Sequence, residues 1–262
     1  MFFIQNMKRN ILTVLFFFLI LSLSAQKPMI QPVQRTIFIT GGNFSQPFIQ
    51  YVIGLTHKTN PKILFIPTAS ADKDGVILHW YEMTQDLPMK LYVLKLFIGS
   101  SPEQKTWEEI IMDMDAIIVG GGNTLNMMAV WKAQGIDTLL KKAYNKGCIM
   151  AGGSAGSLCW FKEGVTDSRP QKLSTVSCLG FIPTSHCPHY HSEPTRKPLY
   201  QSFLLKKELG AGYACDDAAG ILFQNEKYIK SVSINNLDRT YFLSVHNGLI
   251  KEEELPVTEW LQ

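Results

Sequence analysis

The sequence predicts an α/β protein, a three-layer sandwich of helices on a mostly parallel sheet. Three observations predict it. Short β-rich runs alternate with longer stretches of helical pattern. The runs are almost continuously apolar and bounded by turn residues, as strands buried on both faces of a parallel sheet are. Several end in glycine or other small residues, which places a set of loops at the carboxyl ends of the strands, where such sheets keep their active sites.

The chain has 262 residues, and residues 1–25 read apart from the fold. Lys8 and Arg9 precede an apolar run over 11–21, and Ser22-Leu23-Ser24-Ala25 supplies small residues. That is the order of a secretory signal peptide cut after Ala25, with Met7 as an alternative start. The run is short against the ~20 residues of a membrane span, and no cysteine stands at the cut to make a lipoprotein. The mature chain, 26–262, is expected to be exported, periplasmic or secreted. Its roughly 237 residues suit one large domain.

The elements follow in order. Thr36-Ile37-Phe38-Ile39-Thr40 is a strand running into Gly41-Gly42-Asn43, and residues 48–57 a helix. Lys62-Ile63-Leu64-Phe65-Ile66 is a second strand, ending in Pro67-Thr68-Ala69-Ser70, and residues 91–96 a third. A short helix over 107–112 leads to the strand Ala116-Ile117-Ile118-Val119. Two helices follow, over 123–134 and 137–146. In the latter Leu139, Leu140 and Ala143 form an apolar stripe and Gly147 is a stop. Residues 148–151 make the next strand. From Ala211 the pattern shifts to short strands over 219–223, 228–233 and 241–245, expected as a hairpin-like edge.

Net charge is +3, with no Lys/Arg stripe interleaved with aromatics, so no nucleic-acid partner is expected. No second apolar stretch of span length follows residue 26, so no stable membrane span is expected once the signal is cut. Cys148, Cys159, Cys178, Cys187 and Cys215 are odd in number and match no zinc or redox spacing. They read as mostly free, buried thiols. Oligomeric state is not legible.

The chemistry concentrates after residue 147. Gly152-Gly153-Ser154-Ala155-Gly156 sits at a strand-to-helix turn, the form of a nucleophile elbow. Small neighbours allow the sharp turn, and the helix start aims free N–H groups at a developing oxyanion. Such a serine needs a base and a group to orient it. His57, His79 and His246 read as surface or structural. His186-Cys187-Pro188-His189-Tyr190-His191 follows an apolar run, and His189, stiffened by Pro188 and Tyr190, is the base. The orienting carboxylate is open among Asp167, Asp216 and Asp217. A zinc set of His186, His189, His191 and Glu193 is the weaker alternative, since no second cluster closes its shell. Gly120-Gly121-Gly122-Asn123-Thr124 lacks the ending of a P-loop and suits an oxyanion hole shared with Ala155.

Val119-Gly120-Gly121-Gly122-Asn123-Thr124, Ala151-Gly152-Gly153-Ser154-Ala155-Gly156 and Cys187-Pro188-His189-Tyr190 together resemble the S51 serine peptidases, the family of peptidase E and cyanophycinase. The resemblance runs from about Thr36 to Phe223. It implies a fold like the class I glutamine amidotransferases, with serine in place of their cysteine. It matches Ser154 to the nucleophile, His189 to the base and Asp167 to the third member. Gly121 or Gly122 with Ala155 matches the oxyanion hole. Glu193-Pro194-Thr195-Arg196 is similar to a Glu-Thr-Arg segment in which arginine pairs with the acidic side chain of the substrate. Arg196, with Glu193 and Asn123, is therefore expected to bind substrate.

The expected function is a serine exopeptidase on small peptides, cutting at aspartyl bonds of the Asp-Xaa type, with no metal or cofactor required. The alternatives are a β-aspartyl isopeptidase of cyanophycinase type, an esterase of α/β-hydrolase type, and a non-catalytic relative that kept the cleft for ligand. The esterase is disfavoured by the closeness of His189 to Ser154. The binding protein is disfavoured because it has no use for an intact Ser–His–Asp set.

Overall fold

β1 (Thr36–Thr40) is buried along its whole length, as its unbroken run of apolar and threonine side chains requires. It pairs in parallel with β5 (Ile149–Gly153) and antiparallel with β10 (Ala219–Gln224). The computed structural model describes residues 33–98 and 104–262. The expected signal peptide lies outside the described residues. Residues 34–262 form one compact unit.

β1 belongs to an eight-stranded sheet in the order β14-β11-β10-β1-β5-β4-β2-β3. Its parallel half adds β2 (Lys62–Ile66), β3 (Lys90–Val93) and β4 (Ala116–Val119). β11 (Lys227–Ser233) and β14 (Val257–Trp260) extend it beyond β10. One face is covered by α1 (Gln46–Leu55) and α2 (Asp74–Thr84). There Phe48, Ile49 and Val52 pack on Phe38, and Trp80 stacks on Phe65 with ring centres 4.4 Å apart. Each such fully buried side chain contributes about 1.5–3 kcal/mol.

The other face carries α3 (Trp107–Met112), α4 (Thr124–Gln134) and α5 (Ile136–Asn145). Thr106 and Glu109 close a reciprocal cap on α3, so a six-residue helix has a defined start. Gly135, at φ 72°, ends α4 and turns directly into α5. The sequence boundaries of these helices hold within two residues.

A second, six-stranded sheet shares this face, in the order β13-β12-β9-β8-β6-β7. Its strands are β6 (Phe161–Thr166), β7 (Ser174–Ser177), β8 (Ile182–Cys187), β9 (Gly212–Cys215), β12 (Thr240–His246) and β13 (Leu249–Leu255). Phe161, Ile182 and Cys215 face the same core as Ile37, Ile39 and Phe223 of the large sheet. α7 (Arg196–Leu205) covers the far side with Tyr200 and Leu204 on Cys187, Ala214 and Leu243. The α/β sandwich is as expected; the second sheet is an addition to it. The expected single edge after Ala211 is divided: β10 and β11 join the large sheet, whereas β12 pairs with β9 and β13 in the second.

All five cysteines are free, four of them buried. Burial pushes the Cys178 thiol up to about 12 and the other four higher still. No helix among the described residues is long and apolar enough to cross a membrane.

Candidate active site

The carboxyl end of β5 is where the strand order places its neighbours β1 and β4 on either side. Ser154 stands there at φ 54°, ψ −120°, followed by the single helical turn α6 (Ala155–Leu158). A non-glycine residue in that region is strained, a cost of about 1–3 kcal/mol that surrounding structure must offset. The packing of the turn does so. A side chain on Gly156 would run into the carbonyl of Val119, so only glycine lets the turn sit down on β4. The Ser154 carbonyl accepts the N–H groups of Ser157 and Leu158, both at 3.0 Å.

The Ser154 hydroxyl meets His189 Nε2 at 2.8 Å, and His189 Nδ1 meets Asp217 Oδ1 at 2.7 Å. His189 also has a positive φ, 55°, on the turn after β8. Asp217 follows β9, and its carbonyl accepts the N–H of Gly42 beyond β1 at 3.1 Å. Three strand ends thus meet in one hydrogen-bonded line. A carboxylate on Nδ1–H leaves Nε2 as the acceptor for a serine proton and stabilises the imidazolium that results.

Asp167, matched to the third member on resemblance, is not the carboxylate that meets His189. It lies beyond β6 with a side chain 62% exposed, and its nearest cation is Arg196 at 3.5 Å. Asp217, one of the three carboxylates left open, takes that place. Asp216 points the other way, accepting from the His191 ring at 2.9 Å and from the N–H of Arg239 at 3.0 Å.

Of the two oxyanion glycines, Gly121 lies against Ser154. A side chain there would contact the serine Cβ at 3.3 Å and Asn43 Oδ1 at 3.5 Å. Gly122 turns toward the Ala69 carbonyl instead. The flanking N–H groups of Gly120 and Asn123 donate to Ile66 and Ala69, while those of Gly121 and Gly122 have no backbone partner among the described residues. The N–H of Ala155 opens a helical turn and has no partner within it. Asn43 was missed by sequence reasoning; its only signal is its place at the carboxyl end of β1.

Two expected substrate residues have partners within the protein. Asn123 caps α4, accepting from Asn126 N–H at 2.9 Å, and donates its amide to the Ser168 carbonyl at 3.0 Å. Arg196 is buried, with a side chain 3% exposed. Its Nε donates to Glu193 at 2.6 Å, Nη2 to the other oxygen of Glu193 at 3.3 Å, and Nη1 to the Val165 carbonyl at 3.3 Å. The two-point contact satisfies the planar fork of the guanidinium.

The residues weighed as a zinc set do not converge. His186 lies in the core between Ser157 Oγ at 3.0 Å and the Tyr213 carbonyl at 3.2 Å. Burial lowers its pKa to about 3, so it is neutral. His189 and His191 turn to different aspartates, and Glu193 to Arg196. Among the described residues no group of three His, Cys, Asp or Glu could hold a metal ion.

Comparisons with known proteins bear on the family and the fold. The sequence pattern of peptidase family S51 matches residues 37–231. The uncharacterized peptidase YgaJ of Bacillus subtilis (strain 168) is 37% identical over 230 residues, 86% of this chain and 98% of its own. A peptidase from an acI-B1 Actinobacterium superposes with a TM-score of 0.68 at 16% identity, covering 87% of this chain and 97% of that one. At that identity the likeness concerns the fold.

Proposed function

The chain belongs to peptidase family S51 and is a serine-type peptidase, a hydrolase, and from that premise we propose that it is an exported exopeptidase that cuts small peptides at aspartyl bonds, with Ser154, His189 and Asp217 as its catalytic line. The observation that carries this reading is the pair of short contacts at His189, 2.8 Å to the serine and 2.7 Å to the carboxylate, on a strained elbow. Ser154 Oγ attacks the peptide carbonyl while its proton passes to His189 Nε2. The oxyanion forms against the N–H groups of Gly121 and Ala155. His189 returns the proton to the leaving amine as the C–N bond breaks, then activates water to release the acyl group. Export rests on residues 1–25, as read above.

The aspartyl preference rests on Arg196. Its tightest partner is Glu193 and its loosest is exposed Asp167 at 3.5 Å. A substrate carboxylate takes the place of Asp167 while Glu193 keeps the guanidinium oriented. The same cluster favours a second reading, β-aspartyl isopeptides with a cationic partner residue. Two carboxylates stand against one guanidinium there, and the surplus negative charge attracts a cation.

The test is hydrolysis by the mature chain and by Ser154→Ala of α-Asp-Xaa, β-Asp-Arg and neutral dipeptides. Serine-dependent cleavage of α-Asp-Xaa supports the first reading, and of β-Asp-Arg the second. Serine-dependent cleavage of neutral dipeptides alone removes Arg196 from substrate recognition, and no serine-dependent cleavage overturns the proposal.

A further inference from the structure

Asp217 carries the weight of orienting His189, yet its side chain is 47% exposed and, among the described residues, meets only that histidine. Something else must hold its place. The Gly42 N–H holds its backbone carbonyl at 3.1 Å, and the residue before Asp217 supplies a further hold. Asp216 has a side chain 7% exposed, and its two oxygens serve three donors. Oδ1 accepts from the backbone N–H of His191 at 3.1 Å and from the His191 ring at 2.9 Å; Oδ2 accepts from Arg239 N–H at 3.0 Å. Around it Asp216 N–H donates to the Arg239 carbonyl, and Tyr190 N–H to the Cys215 carbonyl, both at 3.0 Å.

A second histidine–aspartate pair therefore joins the same two segments as the first. On one segment the histidines are two residues apart, and on the other the aspartates are adjacent. The ring tautomer of the second pair also follows from its neighbours. Lys197 Nζ lies 3.2 Å from His191 Nε2 and 2.7 Å from Glu252. An ammonium only donates, so Nε2 accepts and the single ring proton sits on Nδ1, facing Asp216. The ring is wedged edge-on between Tyr190 and Tyr241, at 4.7 Å and 5.1 Å.

We propose that His191 and Asp216, with Lys197 setting the ring tautomer, are positioning residues that align His189 with Asp217. Neither residue of the pair bonds to Ser154; the pair fixes the spacing of the two segments that carry base and acid. The proposal rests on the serine reading above, and its test separates the two.

The experiment is the rate at which a fluorophosphonate labels Ser154 in the full chain, measured beside the thermal unfolding midpoint. His191→Leu removes the donor to Asp216, and labelling slows by roughly tenfold or more. His191→Asn keeps an amide N–H near the place of Nδ1, and the rate returns to within about threefold of the parent, with the midpoints of the two variants alike. Lys197→Met keeps the fold, because Glu252 retains the Tyr190 hydroxyl and the Gln201 amide as donors, and slows labelling by about two- to fivefold. His191→Leu and Lys197→Met at the parent rate would overturn the pair. So would a slowing that tracks lost folded protein and is not rescued by His191→Asn. A parent chain that is not labelled at Ser154 would overturn the serine reading itself, and the pair's role with it.

Discussion

The His189–Asp217 and His191–Asp216 pairs have nearly the same bond lengths, 2.7 Å and 2.9 Å, but opposite surroundings. In the first the histidine is mostly buried and the acid is half in solvent; in the second the acid is buried and the histidine is the exposed member. The acid of the first pair has one protein partner and is free to answer a charge change on its histidine. The acid of the second is saturated by backbone N–H groups and cannot turn without breaking them. The same two residue types thus make a responsive pair or a fixed one according to where the carboxylate sits.

Removing the group that the responsive pair serves has the largest expected effect. Ser154→Ala lowers kcat by about 10⁴-fold or more on whichever panel peptide is cut best. Asp217→Asn follows, at about 10³- to 10⁴-fold, because a carboxamide no longer fixes the His189 tautomer. Its unfolding midpoint stays close to the parent's, since the group is half exposed. Asp167→Asn, read in the same assay, changes kcat by less than about threefold. Equal losses in these two variants would break the assignment of the acid.

Asp216→Asn acts on stability more than on chemistry. It sets an amide NH₂ against backbone donors, and urea unfolding is expected to show a loss of about 3 kcal/mol. A smaller effect is expected from the third histidine, His186, which has no carboxylate at all. Burial lowers its pKa from 6.5 to about 3, so the unfolded chain takes up the proton first. Its contribution is complete above about pH 6.5 and is lost as pH falls toward 3. That loss is roughly 2 kcal/mol by pH 5. Urea midpoints at pH 7 and pH 5, compared with those of His186→Asn, isolate it as a shallower pH dependence in the variant.

What the sequence made legible was local. The elbow announces itself because its glycines, its strained serine and its first helical turn are consecutive, and each is needed for the others. The parallel strands show because both faces are buried. The second sheet does not show as one, because its strands carry polar residues mid-run: Lys162 and Glu163 in β6, and Ser174-Thr175-Val176-Ser177 as all of β7. Pro183 lies in β8, beside a register shift against β6. The carboxylate that meets His189 was beyond local reading for a different reason. Asp217 meets His189 across 28 residues of chain, through the pairing of β8 with β9 and the packing of Gly42 on the turn that follows. The hold on Arg196 was not legible because the sequence shows its charge but not its burial. Glu193, three residues earlier, folds back onto it.

The place of β1 between β5 and β10 bears on when the protein becomes active. The first described strand cannot acquire both neighbours until residues 219–224 are available, and Asp217 lies just before them. In the proposed catalytic line serine, base and acid come from positions 154, 189 and 217, so a growing chain would carry the serine before either partner. On that reading the power to hydrolyse peptides comes only once most of the chain has been made.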